Sequence, residues 1–206
     1  MNLANKFSIA RILLVPVVMF FYLASFIPYG ALIGMVLFVI AAATDKVDGS
    51  IARKRNEVTD LGKLLDPIAD KLLITVCFLM IVADQSIMAP YGVIALTVLI
   101  FRDSIVNALR QYGASRGIVF AAVLSGKLKA VFVYIVIPMF MTLAFLKSPE
   151  NFVPEVVIPY YEILCYVMLG ISTAITTWSA IDYSVKNAKL FKAKAAEQTS
   201  DTQEKA

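Results

Sequence analysis

Four aspartates, Asp45, Asp48, Asp66 and Asp70, stand close together in a chain that has no histidine and two cysteines. On a helix turning ~100° per residue, Asp45, Asp48, Gly49, Ala52 and Arg53 fall within an arc of ~140°. Gly62, Asp66 and Asp70 recur every fourth residue and form a single stripe. Carboxylates packed so closely disfavour each other's charged form, and divalent cations relieve that repulsion. An all-oxygen donor set favours Mg²⁺, Mn²⁺ or Ca²⁺ over zinc. Such a metal, keeping open positions, commonly completes its shell with substrate phosphates. Gly49 and Ala52 are small enough to let a phosphate or nucleotide approach the helix, and Arg53 offers a forked donor to phosphate oxygens. The chemistry this suggests is phosphoryl-type transfer, with metals positioning and neutralising while a carboxylate takes the nucleophile's proton. Histidine-dependent acid/base or metal chemistry is excluded.

The elements that must carry these residues are apolar. Of 206 residues, 60% are hydrophobic and 17% charged, and mean hydropathy is +0.78. A soluble domain is about half apolar and about a quarter charged, so the class is polytopic membrane protein. Six apolar segments are expected to be helices: Phe7 to Ile27, Ala31 to Ile51, Leu64 to Ala83, Ala89 to Arg110, Leu128 to Leu146 and Val156 to Ile181. Each is near the length that crosses ~30 Å of hydrocarbon. No internal repeat and no clear signal-peptide cleavage site are visible. The predicted organisation is a six-helix membrane domain over 1–185 and a basic, polar, partly disordered tail over 186–206.

Lysine and arginine sort by side. Lys6, Arg11, Arg53, Lys54, Arg55, Lys63, Arg110, Arg116, Lys127, Lys129, Lys186, Lys189, Lys192 and Lys194 flank one set of segment ends, whereas the opposite connections carry Lys147. Positive residues stay inside, which predicts cytoplasmic N and C termini and a protein of the cell membrane. The net charge of +4 is spent on this asymmetry, and no nucleic-acid partner is expected. Within segments two to four the uninterrupted apolar parts, 31–43, 72–83 and 89–101, cover only ~18–20 Å at 1.5 Å per residue. To span, these helices must carry Asp45, Asp48, Asp66, Asp70, Arg102 and Asp103 into the inner half of the bilayer. Charges at that depth face a bundle interior or a wet cavity, so a polar chamber open to the cytoplasm is expected there. The short connection between segments two and three predicts antiparallel neighbours with facing acidic stripes.

The pattern Asp45-x2-Asp48-Gly49-x2-Ala52-Arg53-x8-Gly62-x3-Asp66-x3-Asp70 resembles the complete signature of the CDP-alcohol phosphotransferase family. The six-segment layout is similar too, so the resemblance covers nearly the whole chain. It implies a homodimeric membrane enzyme with two divalent ions, Mg²⁺ or Mn²⁺, held by the four aspartates, and Asp70 as general base. Gly49, Ala52, Arg53, Thr59 and Gly62 would then line the nucleotide of a CDP-activated lipid. Within the family, Asn2 to Arg11, Leu65 to Lys71, Arg102-Asp103 with Leu109-Arg110, and Gly126-Lys127-Leu128-Lys129-Ala130 resemble the group that converts CDP-diacylglycerol and glycerol 3-phosphate to phosphatidylglycerophosphate and CMP. Ala4, Asp103 and Ala130 depart from that group's proline, glutamate and threonine.

Arg102, Arg110, Lys127 and Lys129 are the candidate acceptor-phosphate residues, with a plain positive-inside role as the other reading. Ser8 and Arg11 are candidates to touch the nucleotide, or Arg11 snorkels at the interface. Phe20, Phe21, Tyr22, Phe26, Trp178 and Tyr183 are expected to face lipid or the interface, and Asp84, Glu150 and Glu155 to be solvated. Cys77 and Cys165 lack metal-ligand spacing and are expected to be buried hydrophobes. Two other functions compete: a sibling enzyme using inositol phosphate or serine, and an ion or metal transporter. The transporter lacks a continuous polar route, because the outer halves of the acid-bearing helices are apolar.

Overall fold

The computed structural model describes the backbone of residues 3–24, 26–54, 60–88, 90–115 and 124–204, and side chains for 5–24, 26–44, 62, 65–84, 86–88, 90–115 and 124–187. Among the described residues the chain is all-helical. The helices are α1 (Leu3–Leu23), α2 (Gly30–Lys54), α3 (Asp60–Ala83), α4 (Gln85–Met88), α5 (Tyr91–Ser115), α6 (Leu124–Leu146) and α7 (Val157–Glu204). The six long helices correspond to the six apolar segments. The extra turn α4 follows from Asp84, whose carboxylate accepts from the Ser86 amide at 3.2 Å and the Ser86 hydroxyl at 2.6 Å, an N-cap arrangement. Asp84 is therefore committed to a cap as well as half exposed.

Four stretches are long and apolar enough to cross a membrane: Asn5–Leu23, Tyr91–Ser115, Leu124–Leu146 and Val157–Asn187. The apolar part of α2, Gly30–Thr44, is shorter, and α3 carries Asp66, Asp70 and Lys71 within its length. The backbone of α7 continues through 188–204, the stretch whose composition predicts a polar extension.

One stripe of α1 organises its half of the bundle. Asn5, Ser8, Arg11, Val15 and Val18, spaced three and four apart, are 3%, 0%, 1%, 6% and 0% exposed. The stripe is polar for its first two turns and apolar after that. It packs along both α2 and α3, while among the described residues α2 and α3 touch each other only sparsely. The inner ends of α2 and α3, where facing acidic stripes are expected, lie largely outside the described side chains. Elsewhere α6 packs against α7 and α2, and α5 against α7 and α3. Phe38, Cys77, Ile81, Ile137, Phe140, Met141 and Cys165 are fully buried between these helices, and both cysteines are free thiols.

The α1–α2 connection is tight enough to demand particular residues. Tyr29 has φ of 59°, a left-handed conformation that a bulky side chain rarely adopts. A Cβ on the next residue, Gly30, would lie 2.4 Å from the Phe21 carbonyl oxygen. Backbone cannot retreat from that contact as a flexible side chain could. Gly30→Ala should therefore destabilise the protein by about 1–3 kcal/mol, the usual cost of overpacking, seen as a lower unfolding temperature in detergent. An unchanged transition would mean that this turn is not closed as described.

Candidate active site

The α1 stripe places its polar turns against the acidic stripe of α3. The Ser8 hydroxyl donates to the Asp66 carboxylate, and the Arg11 Nε–H donates to the Ala41 carbonyl of α2 at 3.2 Å. Arg11 is thus buried among three helices, which corrects its reading as a snorkelling side chain. Asp66 and Asp70 lie one turn apart on α3, the first exposed and the second half-buried, with Gly62 buried a turn earlier. Asp70 accepts a hydrogen bond from the Tyr134 hydroxyl of α6, and the Tyr134 ring packs 6.2 Å from that of Phe38.

Five residues before Tyr134, α6 carries Lys129, 6% exposed. Its ammonium donates to both oxygens of Asp103 on α5, at 3.0 and 2.9 Å. Arg102, beside Asp103, donates from Nη1 to the same carboxylate at 2.9 Å and from Nη2 to the Ser179 hydroxyl of α7 at 2.9 Å. Its Nε is buried without a protein partner. A buried donor left unpaired is costly, and an anionic ligand oxygen would suit it. A Cβ at Gly126 would come within 3.0 Å of Arg102 Nη2, so this glycine leaves the guanidinium its room. Lys129 also feels the charge of Asp70. Through α6, the acid stripe and the basic cluster therefore share one end of the bundle.

The other candidates separate. Lys127 is exposed while Lys129 is buried, as two positions ~200° apart on a helix must be. Arg110 is exposed, yet its Nε–H donates to the Tyr183 hydroxyl at 3.4 Å, and its guanidinium carbon lies 5.8 Å from the Tyr183 ring centre. Tyr183 is 2% exposed, so it is a buried partner of Arg110 and does not face lipid as expected. Trp178, Phe20 and Phe26 are exposed. Arg102 and Arg110 meet Ser179 and Tyr183, so the same faces of α5 and α7 meet over two turns. The backbone of α2 carries Asp45, Asp48, Gly49, Ala52 and Arg53, whose side chains lie outside the described residues, as does Thr59 entirely.

Sequence reasoning passed over Tyr134, Ser125, Ser179 and Asp182. The Ser125 hydroxyl donates to Asp182 at 2.9 Å, and Lys186 pairs with the same carboxylate at 2.6 Å. Single hydroxyls inside apolar helices were the available signal, but only the fold gives them partners.

As metal ligands, Asp66 and Asp70 have suitable chemistry, being hard carboxylate donors side by side on one helix face. Asp45 and Asp48 lie on the neighbouring helix end.

A family profile described as CDP-alcohol phosphatidyltransferase matches residues 1–181. The chain belongs to that family. A relative from Bacillus subtilis (strain 168) is 43% identical over 139 residues, 62% of this chain and 70% of its own length. One from Rickettsia bellii is 41% identical over 112 residues, 54% of this chain and 59% of its own length, under two thirds of that relative. A Yersinia pestis relative is 28% identical over 187 residues, 89% and 93% of the two chains. All three are named CDP-diacylglycerol–glycerol-3-phosphate 3-phosphatidyltransferase. Membership of this transferase family, with several helices long and apolar enough to span, makes the chain an integral membrane protein.

The packing of Arg102 generates a stability test. Ser179 is fully buried, so Ser179→Ala strands Arg102 Nη2 and should cost about 1–3 kcal/mol. Ser184→Ala, at a half-buried position one turn further on, should cost less than ~0.5 kcal/mol. Equal unfolding temperatures for the two variants would contradict the Arg102–Ser179 contact.

Proposed function

We propose that the chain transfers the phosphatidyl group of CDP-diacylglycerol to glycerol 3-phosphate, releasing CMP and forming phosphatidylglycerophosphate. The observation that carries this reading is the meeting, through α6, of Asp70 with the Arg102–Lys129 cation pair. In this reading a carboxylate able to take a proton stands at the same end of the bundle as cations able to hold a dianionic phosphate. The names of the relatives point to the same substrates.

In this reading Asp45, Asp48, Asp66 and Asp70 hold two divalent ions, Mg²⁺ or Mn²⁺, which when bound neutralise the diphosphate. Gly49, Ala52, Arg53, Thr59 and Gly62 receive the cytidine nucleotide, with Ser8 and Arg11 supporting the α1 side. The phosphate of glycerol 3-phosphate binds Arg102, Arg110 and Lys129, with Lys127 at the exposed mouth. Asp70 takes the proton of the primary hydroxyl as its oxygen attacks the phosphatidyl phosphorus. The bond to CMP breaks, and CMP leaves with the electron pair. Tyr134 keeps the Asp70 carboxylate turned toward the acceptor.

Six long helices cross the cell membrane, both termini and the site lie on the cytoplasmic side, and the enzyme works as a homodimer. The lysine and arginine asymmetry supports the orientation, and a lipid donor with a water-soluble acceptor suits a site at the inner ends of the helices.

Purified protein with CDP-diacylglycerol, Mg²⁺ and a panel of acceptors should release CMP fastest with glycerol 3-phosphate. Preference for an uncharged alcohol or for inositol phosphate would redirect the assignment to a sibling reaction, and metal uptake into proteoliposomes without CMP release would favour a transporter. Asp70→Asn should lower turnover by ~10²–10⁴, the usual worth of a general base, while CDP-diacylglycerol binding stays within about tenfold. Near-normal turnover would remove Asp70 from proton transfer.

Tyr134→Phe should lower kcat by roughly 10- to 100-fold, since a hydrogen bond to a charged group contributes ~1.5–3 kcal/mol. The unfolding temperature should stay close to wild type. A change in stability alone, with kcat intact, would make Tyr134 a packing residue.

A further inference from the structure

We propose that Asp103 is the positioning residue of the acceptor site, the anion that holds Arg102 and Lys129 as a fixed cation pair. This inference rests on the function proposed above. Arg102 and Lys129 lie on different helices, α5 and α6, and nothing in the chain's connectivity sets the distance between their charges. Asp103 does so. One of its oxygens takes Arg102 Nη1 at 2.9 Å and Lys129 Nζ at 3.0 Å, and the other takes Lys129 at 2.9 Å. The side chains of Arg102 and Lys129 are 12% and 7% exposed, so neither can trade this partner for bulk water, whereas Asp103 is 26% exposed.

The direction of each cation follows from this anchoring. Arg102 is held at two nitrogens, by Asp103 at Nη1 and by Ser179 at Nη2, and Gly126 leaves room for Nη2 where a Cβ would come within 3.0 Å. The guanidinium edge at Nε is left without a protein partner. Lys129, an ammonium with three donors, uses its hydrogen bonds to Asp103 to fix a flexible stem and retains donor capacity. One carboxylate against two cations leaves a net positive charge, to which a phosphate dianion can bind without displacing Asp103. Asparagine would keep the shape and one acceptor oxygen but lose the charge, leaving Lys129 buried without a partner anion. Burying an unpaired charge is strongly unfavourable, so the ammonium would reorient or lose its proton, and the acceptor would lose a charge-assisted contact. Asp103 itself need not touch the acceptor.

The test separates support of the cations from a general structural role. In Asp103→Asn the KM for glycerol 3-phosphate should rise roughly 10- to 100-fold, the worth of one or two charge-assisted contacts. Both kcat at saturating acceptor and the KM for CDP-diacylglycerol should stay within about threefold. Asp103→Glu, which keeps the carboxylate, should recover most of the acceptor affinity. Because part of the effect of Asp103 passes through Lys129, Asp103→Asn should raise the acceptor KM by a smaller factor in a Lys129→Met background than in wild type, the remainder passing through Arg102. That double variant also lacks the unpaired buried ammonium, so it reports even where Asp103→Asn alone folds poorly. An unchanged or lowered acceptor KM in Asp103→Asn overturns the proposal, as does a fall in kcat with KM fixed, failure of glutamate to rescue, or additive penalties in the double variant. Failure of the underlying function shows differently, as wild-type protein releasing no CMP with glycerol 3-phosphate.

Discussion

Lys129 lies inside a bundle whose helices are apolar on nearly every side, and there a charge cannot rely on water. An isolated ammonium in such surroundings would move, or give up its proton, and only an opposite charge at hydrogen-bond distance keeps it in place. Asp103 meets that requirement, and meeting it fixes much else. Because Asp103 and Lys129 come from α5 and α6, their pairing ties together two helices that otherwise pack little against each other among the described residues. Because Arg102 shares the carboxylate and extends to Ser179, α7 is drawn into the same arrangement. Arg110 and Tyr183 repeat that α5–α7 contact two turns away with a weaker, partly exposed pair. The polar groups therefore do not decorate a bundle assembled by apolar packing alone. They select which rotation of each helix the packing adopts.

On the acidic side α1 does the comparable work. Its buried stripe begins with Asn5, Ser8 and Arg11 and ends with Val15 and Val18, so one face supplies hydrogen bonds near the acidic motif and close packing deeper in. A helix of valine and leucine throughout would span equally well, yet it would leave Asp66 without the Ser8 hydroxyl and the Ala41 carbonyl without Arg11.

Much of this was legible in the sequence, and the limits have a physical origin. Segment positions came from hydropathy, and the six long helices match them because any chain in lipid must satisfy its backbone hydrogen bonds internally. The acid motif came from spacing alone, since four carboxylates in a largely apolar chain have few explanations. The rotation of each helix was not legible. In water a helix shows its inner face by being apolar there and polar elsewhere, but in lipid both faces are apolar. Val17 is exposed and Val18 buried, and no property of valine tells them apart. Tyr183 and Trp178 suffered the same ambiguity: both are amphipathic aromatics near one helix end, and only packing buries the first and exposes the second. Tyr134 was harder still, because its partner Asp70 is 64 residues away.

The division between legible and hidden features bears on how such a site can vary. The residues proposed for the nucleotide sit mostly in one stretch of sequence, 45–70, so their spacing is inherited from helix geometry and admits little change. The cation cluster proposed for the acceptor is assembled from α5, α6 and α7, and its side chains meet neighbours distant in sequence. Replacing one cation, or lengthening the carboxylate that holds it, alters the pocket without disturbing the acid motif. A bundle built this way can keep one activated-lipid chemistry while the charge and reach of its acceptor pocket change. Asp103, joined to Arg102 on its own helix and to Lys129 on α6, is a point at which one substitution reaches two cations.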